Sequence, residues 1–298
     1  MPHEWPSSPA TTPQRVPQYV FPATRLPSVI TLTGLLRYPI KSTAAETLQQ
    51  VQADTEGLRH DRRFMLAKPD GRFLTARTRP HLQAICARIH EGELRLSHPQ
   101  LEPLTIAFDA FGHTEVATAV WKDAFPALST TPQADAWVSK AAGEPAQLLW
   151  LGETSPRWRS KLGQAVSFAD AYPLLVIGEA SLGDLNARSN GDHVMGQFRP
   201  NLVIGGAGAF AEDGWRRIRI GEVVIRLDAG CARCGMIGVD PATAKPRGDK
   251  EPLRTLARYR RGEDGQVYFG RNACVEVPGL LRVGDVIEVL ETCEPVLA

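Results

Sequence analysis

The sequence has almost no net charge. Its 34 lysines and arginines face 33 aspartates and glutamates, which leaves a formal charge of +1 over 298 residues. That balance gives no bulk electrostatic case for a nucleic acid or an anionic membrane as partner, although a local basic cluster can still bind a small anion. No stretch approaches the ~18 apolar residues of a membrane helix. Cysteine is scarce. Cys86, Cys231, Cys234, Cys274 and Cys293 form an odd, widely spaced set that does not suggest a disulfide framework. There is no iron–sulfur cysteine run, and no internal repeat at a fixed period. Proline, in contrast, is crowded at one end: Pro2, Pro6, Pro9, Pro13, Pro17, Pro22 and Pro27 precede residue 29. They interrupt any signal-peptide apolar core, so residues 1–28 are expected to be a loose or wrapped tail and the protein cytoplasmic, not membrane-bound.

The remaining sequence is globular in composition, 43% hydrophobic and 22% charged, and long enough to bury a sizeable core without staples. β-Branched and large apolar residues in Val29–Tyr38 predict a strand that ends at Pro39. Leu48–Ala53, Arg63–Ala67, Ile85–Ile89, Glu93–Ser97 and Leu104–Ala107 continue as short strands. Turn residues recur every ~8–12 positions, which predicts a small barrel or sandwich and not a βαβ sheet. Ala134, Trp137, Val138, Ala141 and Ala142 follow helical spacing up to Gly143, so Pro132–Ala142 is expected to be a helix bridging two barrels. Ser181–Arg188 and Leu253–Arg260 are further helix candidates. From Leu202 the strand pattern returns at Leu202–Ile204, Ile218–Ile220, Val223–Leu227, Met236–Val239, Val267–Phe269, Cys274–Val277 and Val286–Leu290, with Gly221-Glu222 as a tight hairpin turn.

One segment carries most of the chemistry. Asp228-Ala-Gly-Cys231-Ala-Arg-Cys234-Gly-Met-Ile-Gly-Val-Asp240-Pro241 puts two soft sulfurs and a guanidinium on a glycine-flanked loop. Thiolate is the form that binds metal, and a cation such as Arg233 favours it. Residue type and spacing leave four readings open. A redox pair lacks a thioredoxin-like βαβ context. A zinc site lacks a second Cys-x-x-Cys or a His pair. Plain structural cysteines and a soft-metal or cofactor thiolate remain beside them. Tyr38-Pro-Ile-Lys41-Ser42 adds a cation and a hydroxyl at a strand end, His60-Asp-Arg62-Arg63 a basic pair, and Arg199-Pro-Asn201 a guanidinium beside an amide. Taken singly, each is a surface charge. Together they suit a multiply charged anion such as a phosphate ester.

These motifs occur in a recognisable order. Tyr38-Pro-Ile-Lys-Ser42, Gly57-Leu58, Asp61-Arg-Arg-Phe-Met65, Asp70-Gly71 and Phe73-Leu-Thr-Ala-Arg77 resemble the MOSC N-terminal β-barrel domain. Phe168-Ala-Asp170, Glu179-Ala-Ser-Leu182, Phe198-Arg-Pro-Asn201, Trp215, Cys231-Ala-Arg-Cys234, Asp240-Pro241, Lys250-Glu-Pro-Leu253 and Val283-Gly-Asp285 resemble the MOSC domain that follows it. The resemblance implies an α+β, mainly β protein. Its expected parts are a tail over 1–28, a first β-barrel over 29–130, a bridging helix and linker over 131–150, and a MOSC β-barrel with a few helices over 151–292.

The resemblance also implies a molybdenum cofactor. Cys234, the second cysteine of the Cys-x-Arg-Cys loop, is the implied metal ligand and catalytic residue; the resemblance assigns nothing to Cys231, which is expected to be a buried structural thiol. Lys41, Ser42, Arg62, Arg199 and Asn201 are the implied phosphate contacts, while Asp170, Tyr172, Ala232 and Arg233 lie against the cofactor. Two positions depart from the family pattern. Asp170-Ala-Tyr172 replaces a hydroxyl-rich stretch, and Ala232 stands where relatives carry serine. The implied activity is reduction of small N-hydroxylated compounds such as amidoximes. Electrons would come from a separate protein, a ferredoxin, a flavodoxin or a cytochrome b5-like donor with its reductase. The alternative is a carrier of the cofactor, or of sulfur on Cys234.

Overall fold

The computed structural model describes residues 29–189, 191–295 and 297. The proline-rich segment 1–28 lies outside them. Among the described residues no helix is long and apolar enough to cross a membrane.

The largest sheet among the described residues has eight strands. Leu174–Gly178 runs parallel to Leu202–Gly205 and antiparallel to Tyr268–Val277, and the sheet continues through Val223–Ala232, Trp215–Ile220 and Ile287–Thr292. Alternation explains the pairing of faces. Val223, Ile225 and Leu227 point inward with Ile218, Ile220, Leu174, Val176, Leu202 and Ile204, and all are buried. The Gly221-Glu222 turn joins Trp215–Ile220 to Val223–Ala232, with Gly221 at φ 58°.

The seventh barrel strand comes from the other end of the chain. Thr31–Arg37 pairs with Leu202–Gly205, and its start bridges Thr31 to Val286, with Ile287 N–H donating to Ile30 O at 2.8 Å. The sheet thereby closes on itself. Glu46–Leu48 adds to its edge, and Gln50–Asp54 pairs with Gly279–Arg282. Residues 31–54, expected to belong to the first barrel, thus pack largely in the second. Leu32 and Leu35 are fully buried in its core. The strand pattern at 31–37 was legible, but its partner lies some 170 positions away.

The other body is smaller. Phe64–Ala67, Gln147–Trp150, Asp123–Ser129 and Glu115–Val120 form a four-stranded sheet, curled by the bridges Ala67 to Phe73 and Arg72 to Ala119. Cys86–His90, Glu93–His98 and Leu101–Ala107 form a meander beside it. The helix Pro132–Ala142 starts at Thr131, whose Oγ1 accepts from Ala134 N–H at 3.0 Å, and stops at Gly143 in the left-handed region, φ 69°. It does not bridge the two barrels. Ala134, Trp137, Val138, Ala141 and Ala142 pack into this body's own core with Leu96, Ile106 and Leu148.

Two local expectations change. Of the strand expected over Met236–Val239 only Val239 is extended, paired with Pro246; Gly235–Gly238 is a 3-10 turn. The strands expected at 267–269 and 274–277 are one strand, Tyr268–Val277, irregular where Gly270 takes φ 79°. Glu179–Ser189 and Leu253–Tyr259 are the remaining helices, each close to its expected range.

Candidate functional site

A cleft of about 430 Å³ receives side chains from both bodies. All ten residues singled out from the sequence line it: Lys41, Ser42, Arg62, Asp170, Tyr172, Arg199, Asn201, Ala232, Arg233 and Cys234. A second cavity of similar volume lies against His60, Arg63, Phe108 and Trp150 and contains none of them. There Arg63 Nη2 pairs with Glu56 at 2.7 Å, while its Nη1 is buried without a hydrogen-bond partner.

At the basic end, the chain turns sharply to aim side chains. Ser42, Arg62 and Arg199 are non-glycine residues at φ 72°, 48° and 58°. Such backbone is costly and persists only where its surroundings hold it. Arg62 is paired with the buried Asp61 and donates from Nη1 to Asn201 Oδ1 at 3.0 Å and from Nη2 to Arg199 O at 3.4 Å. Asn201 is 1% exposed; its Oδ1 also accepts from Leu175 N–H at 3.2 Å and its Nδ2 donates to Leu36 O at 3.2 Å. Arg199 donates from Nη1 to Thr43 O at 2.6 Å. Burial lowers the Arg199 pKa to about 10.

Lys41 is buried beside this group. Its Nζ donates to Phe168 O at 2.8 Å and pairs with Asp170. Burial drives its pKa down to about 8, against the upward pull of Asp170. Asp170 also takes Arg77 Nη2 at 2.9 Å and Trp121 Nε1 at 3.1 Å. Burial pushes its carboxyl up, but Lys41 and Arg77 outweigh that and hold it well below the ordinary carboxylate range. Arg77 and Trp121 were not assigned to the site from the sequence. Their motif neighbours gave no spacing signal, because the hairpin tip at Trp121 meets Asp170 only in three dimensions.

At the sulfur end, the strand Val223–Ala232 delivers Cys231 and Ala232, and the turn that follows delivers Arg233 and Cys234. Both sulfurs are half-buried and both cysteines are free. The Arg233 backbone N–H donates to Val267 O at 2.7 Å and its Nη2 to Phe198 O at 2.7 Å. Its Nη1 lies 3.0 Å from Cys231 Sγ, so the cation invoked to favour a thiolate reaches the first cysteine of the loop. Arg233 Nε is buried and has no partner. Gln197, Tyr268, Asn272 and Met236 complete this wall.

The arrangement fits an anionic group that also takes a soft sulfur ligand. Six cations line the cleft, Lys41, Arg62, Arg77, Lys161, Arg199 and Arg233, against a single carboxylate, Asp170. A buried N–H without an acceptor costs free energy unless a ligand supplies one, and Arg233 Nε is such a donor. A molybdenum cofactor, with its phosphate and its sulfur-bound metal, matches this donor set.

Comparison with known proteins identifies the chain's relatives. The MOSC N-terminal beta barrel domain matches residues 29–145, and the MOSC domain matches residues 163–288. Mitochondrial amidoxime-reducing component 1 of Danio rerio is 31% identical over 277 residues, covering 88% of this chain and 85% of that protein. The mouse (Mus musculus) protein of the same name is 32% identical over 286 residues, covering 89% and 84%. Molybdenum cofactor sulfurase of Solanum lycopersicum is 31% identical over 288 residues, covering 86% of this chain and 35% of its own length.

Proposed function

The chain belongs to the family that joins a MOSC N-terminal β-barrel domain to a MOSC domain, and on that premise we propose that it is a molybdenum-cofactor oxidoreductase that reduces small N-hydroxylated compounds. The observation that carries this reading is one cleft with a half-buried Cys234 at one end and the Lys41, Arg62 and Arg199 cations at the other.

In this reading Cys234 supplies the protein thiolate to the metal. Lys41, Ser42, Arg62, Arg199 and Asn201 present N–H and O–H donors to the phosphate. Charge-assisted contacts of this kind are shorter and stronger than neutral ones. Arg233 offers its free Nε as a donor along the cofactor, and Asp170 holds Lys41 in place, with Tyr172 and Ala232 forming adjacent wall. The cofactor, when bound, supplies the two-electron redox chemistry, and the protein binds, orients and tunes it. Electrons are delivered by a separate protein. The test is metal and pterin analysis of the chain expressed in a molybdenum-replete host, followed by reduction of benzamidoxime with reduced viologen. Protein without molybdenum under those conditions would refute the reading.

A second reading is a carrier of the cofactor, or of a persulfide on Cys234. It is favoured by the 31% identity to a molybdenum cofactor sulfurase. Protein that carries molybdenum but fails to reduce benzamidoxime with viologen would move this reading ahead. A bare sulfur carrier has no use for Lys41, Arg62 and Arg199 together.

A further inference from the structure

We propose that Tyr38 is the positioning residue of the anion clamp, its ring holding the Arg62 and Arg199 guanidiniums side by side at the cleft wall. The proposal rests on the reading of this end of the cleft as a phosphate site.

Tyr38 touches both clamp loops with every part of itself. Its backbone N–H donates to Asp61 Oδ1 at 2.8 Å, and its carbonyl accepts from Arg62 N–H at 2.7 Å. Its hydroxyl donates to Pro200 O at 3.1 Å. Arg62 Cζ stands 4.3 Å from the ring centroid and Arg199 Cζ 4.1 Å from it. The residue is fully buried. One residue, through backbone and ring, thus pins the turn at 61–62 and the turn at 199–201, which are more than a hundred residues apart in sequence.

The physical need is clear. Two guanidiniums close to one aromatic ring repel each other, and each is carried on a left-handed, non-glycine backbone, φ 48° and 58°. Arg62 has Asp61 and Asn201 to hold it. Arg199 has no carboxylate partner among the described residues, and its hydrogen bond is to Thr43 O. What else holds Arg199 is the face of Tyr38. An aromatic face attracts cations through its quadrupole, more strongly when water is excluded. A carboxylate beside Arg199 would also hold it, but would cancel more of the charge a phosphate needs than Asp61 already does at Arg62. A neutral ring fixes Arg199 and leaves its charge in place. Burial pushes the Tyr38 phenol up to about 12, so the ring stays neutral across the working range.

The test separates ring electronics from packing. The full chain is purified from a molybdopterin-deficient host and titrated calorimetrically with inorganic phosphate. Position 38 carries Tyr, Phe, 4-fluorophenylalanine or 3,4,5-trifluorophenylalanine. Fluorination nearly preserves ring shape while removing the negative face. Wild type and Tyr38→Phe should bind phosphate within about threefold of each other, because the ring is kept. The trifluoro variant should bind about tenfold more weakly than Phe, with the monofluoro variant between them. A core-filling role alone predicts no gradient, so equal affinities across the fluorinated series, with wild type binding normally, would overturn the role of Tyr38 and leave the clamp intact. The monofluoro variant perturbs packing least and carries the test if the trifluoro chain does not fold. If wild type and Tyr38→Phe bind no phosphate, the phosphate reading of the cleft falls, and the proposal with it.

Discussion

Arg233 Nη1 donates to Cys231 Sγ at 3.0 Å, which gives the two cysteines of the loop different surroundings. Cys231 is engaged by a side chain of its own loop, whereas no hydrogen bond occupies Cys234 Sγ among the described residues. Cys234→Ser should therefore abolish turnover and alter the metal's absorption spectrum. Cys231→Ser keeps an acceptor for Arg233 and should mainly cost stability, about 1 kcal/mol. Metal content and the visible spectrum of the two variants decide it. Equal activity of Cys234→Ser and wild type would refute the assignment.

Lys41→Ala, Arg62→Ala and Arg199→Ala should each lower molybdopterin occupancy by about tenfold or more, since a charge-assisted contact contributes roughly 1.5–3 kcal/mol. Their stabilities should differ. Arg62→Ala strands Asp61, which is 3% exposed, and losing one partner of a buried pair costs about 3–5 kcal/mol. Lys41→Ala leaves Asp170 with Arg77 and Trp121 and should cost far less. Pterin content and thermal melts on the three variants check both halves.

Anion affinity should fall as pH rises through about 8, because the buried Lys41 loses its proton there. Stability runs the other way for this group. Burying charged Lys41 opposes folding below about pH 8, and that penalty fades as pH climbs toward the ordinary 10.5. Asp170, held below its ordinary 3.8, contributes stability that is present above that value and is lost as pH falls through the folded value. Asp170→Asn removes the group that holds the Lys41 pKa up, so the fall in phosphate affinity should move to lower pH. Calorimetric titrations from about pH 6 to about pH 10 would show the shift, and an unmoved curve would contradict the coupling.

The five cysteines are scattered except for the pair on the Cys231 to Cys234 loop, so an iron–sulfur relay within these residues has no ligand set. Purified, molybdenum-loaded protein given NADH alone should be inactive toward benzamidoxime, and reduced viologen should restore turnover. Full turnover with NADH alone in a homogeneous sample would exclude a separate electron-transfer protein.

Much was legible without coordinates because local rules suffice for it. The Pro132–Ala142 helix follows from apolar spacing and a glycine stop, while its Thr131 cap emerges only in the structure. The hairpin at Gly221-Glu222 follows from alternation around a turn. Met236 and Ile237 are strand-type residues, so the sequence predicts a strand over Met236–Val239, but 235–238 fold as a 3-10 turn and only Val239 is extended. The close-lying Gly235 and Gly238, the backbone of the cysteine loop, and the packing of Ile237 against Phe198 and Leu256 override that preference.

The sequence by itself determined which residue types carry the chemistry. The Cys-x-Arg-Cys loop, Lys41-Ser42, Arg62 and Arg199-Pro-Asn201 are visible as motifs, and their order gives the family. Only the tertiary structure decided how they meet. Thr31–Arg37 leaves the first body to pair with Leu202–Gly205, which sets the loop after it beside Arg199 and Asn201. Trp121 and Arg77 reach Asp170, and Tyr38 joins two arginines on one ring. The reason is physical. Periodicity along a chain reports which face of a strand is buried, but long-range pairing depends on which buried faces close one sheet, and no local pattern encodes that.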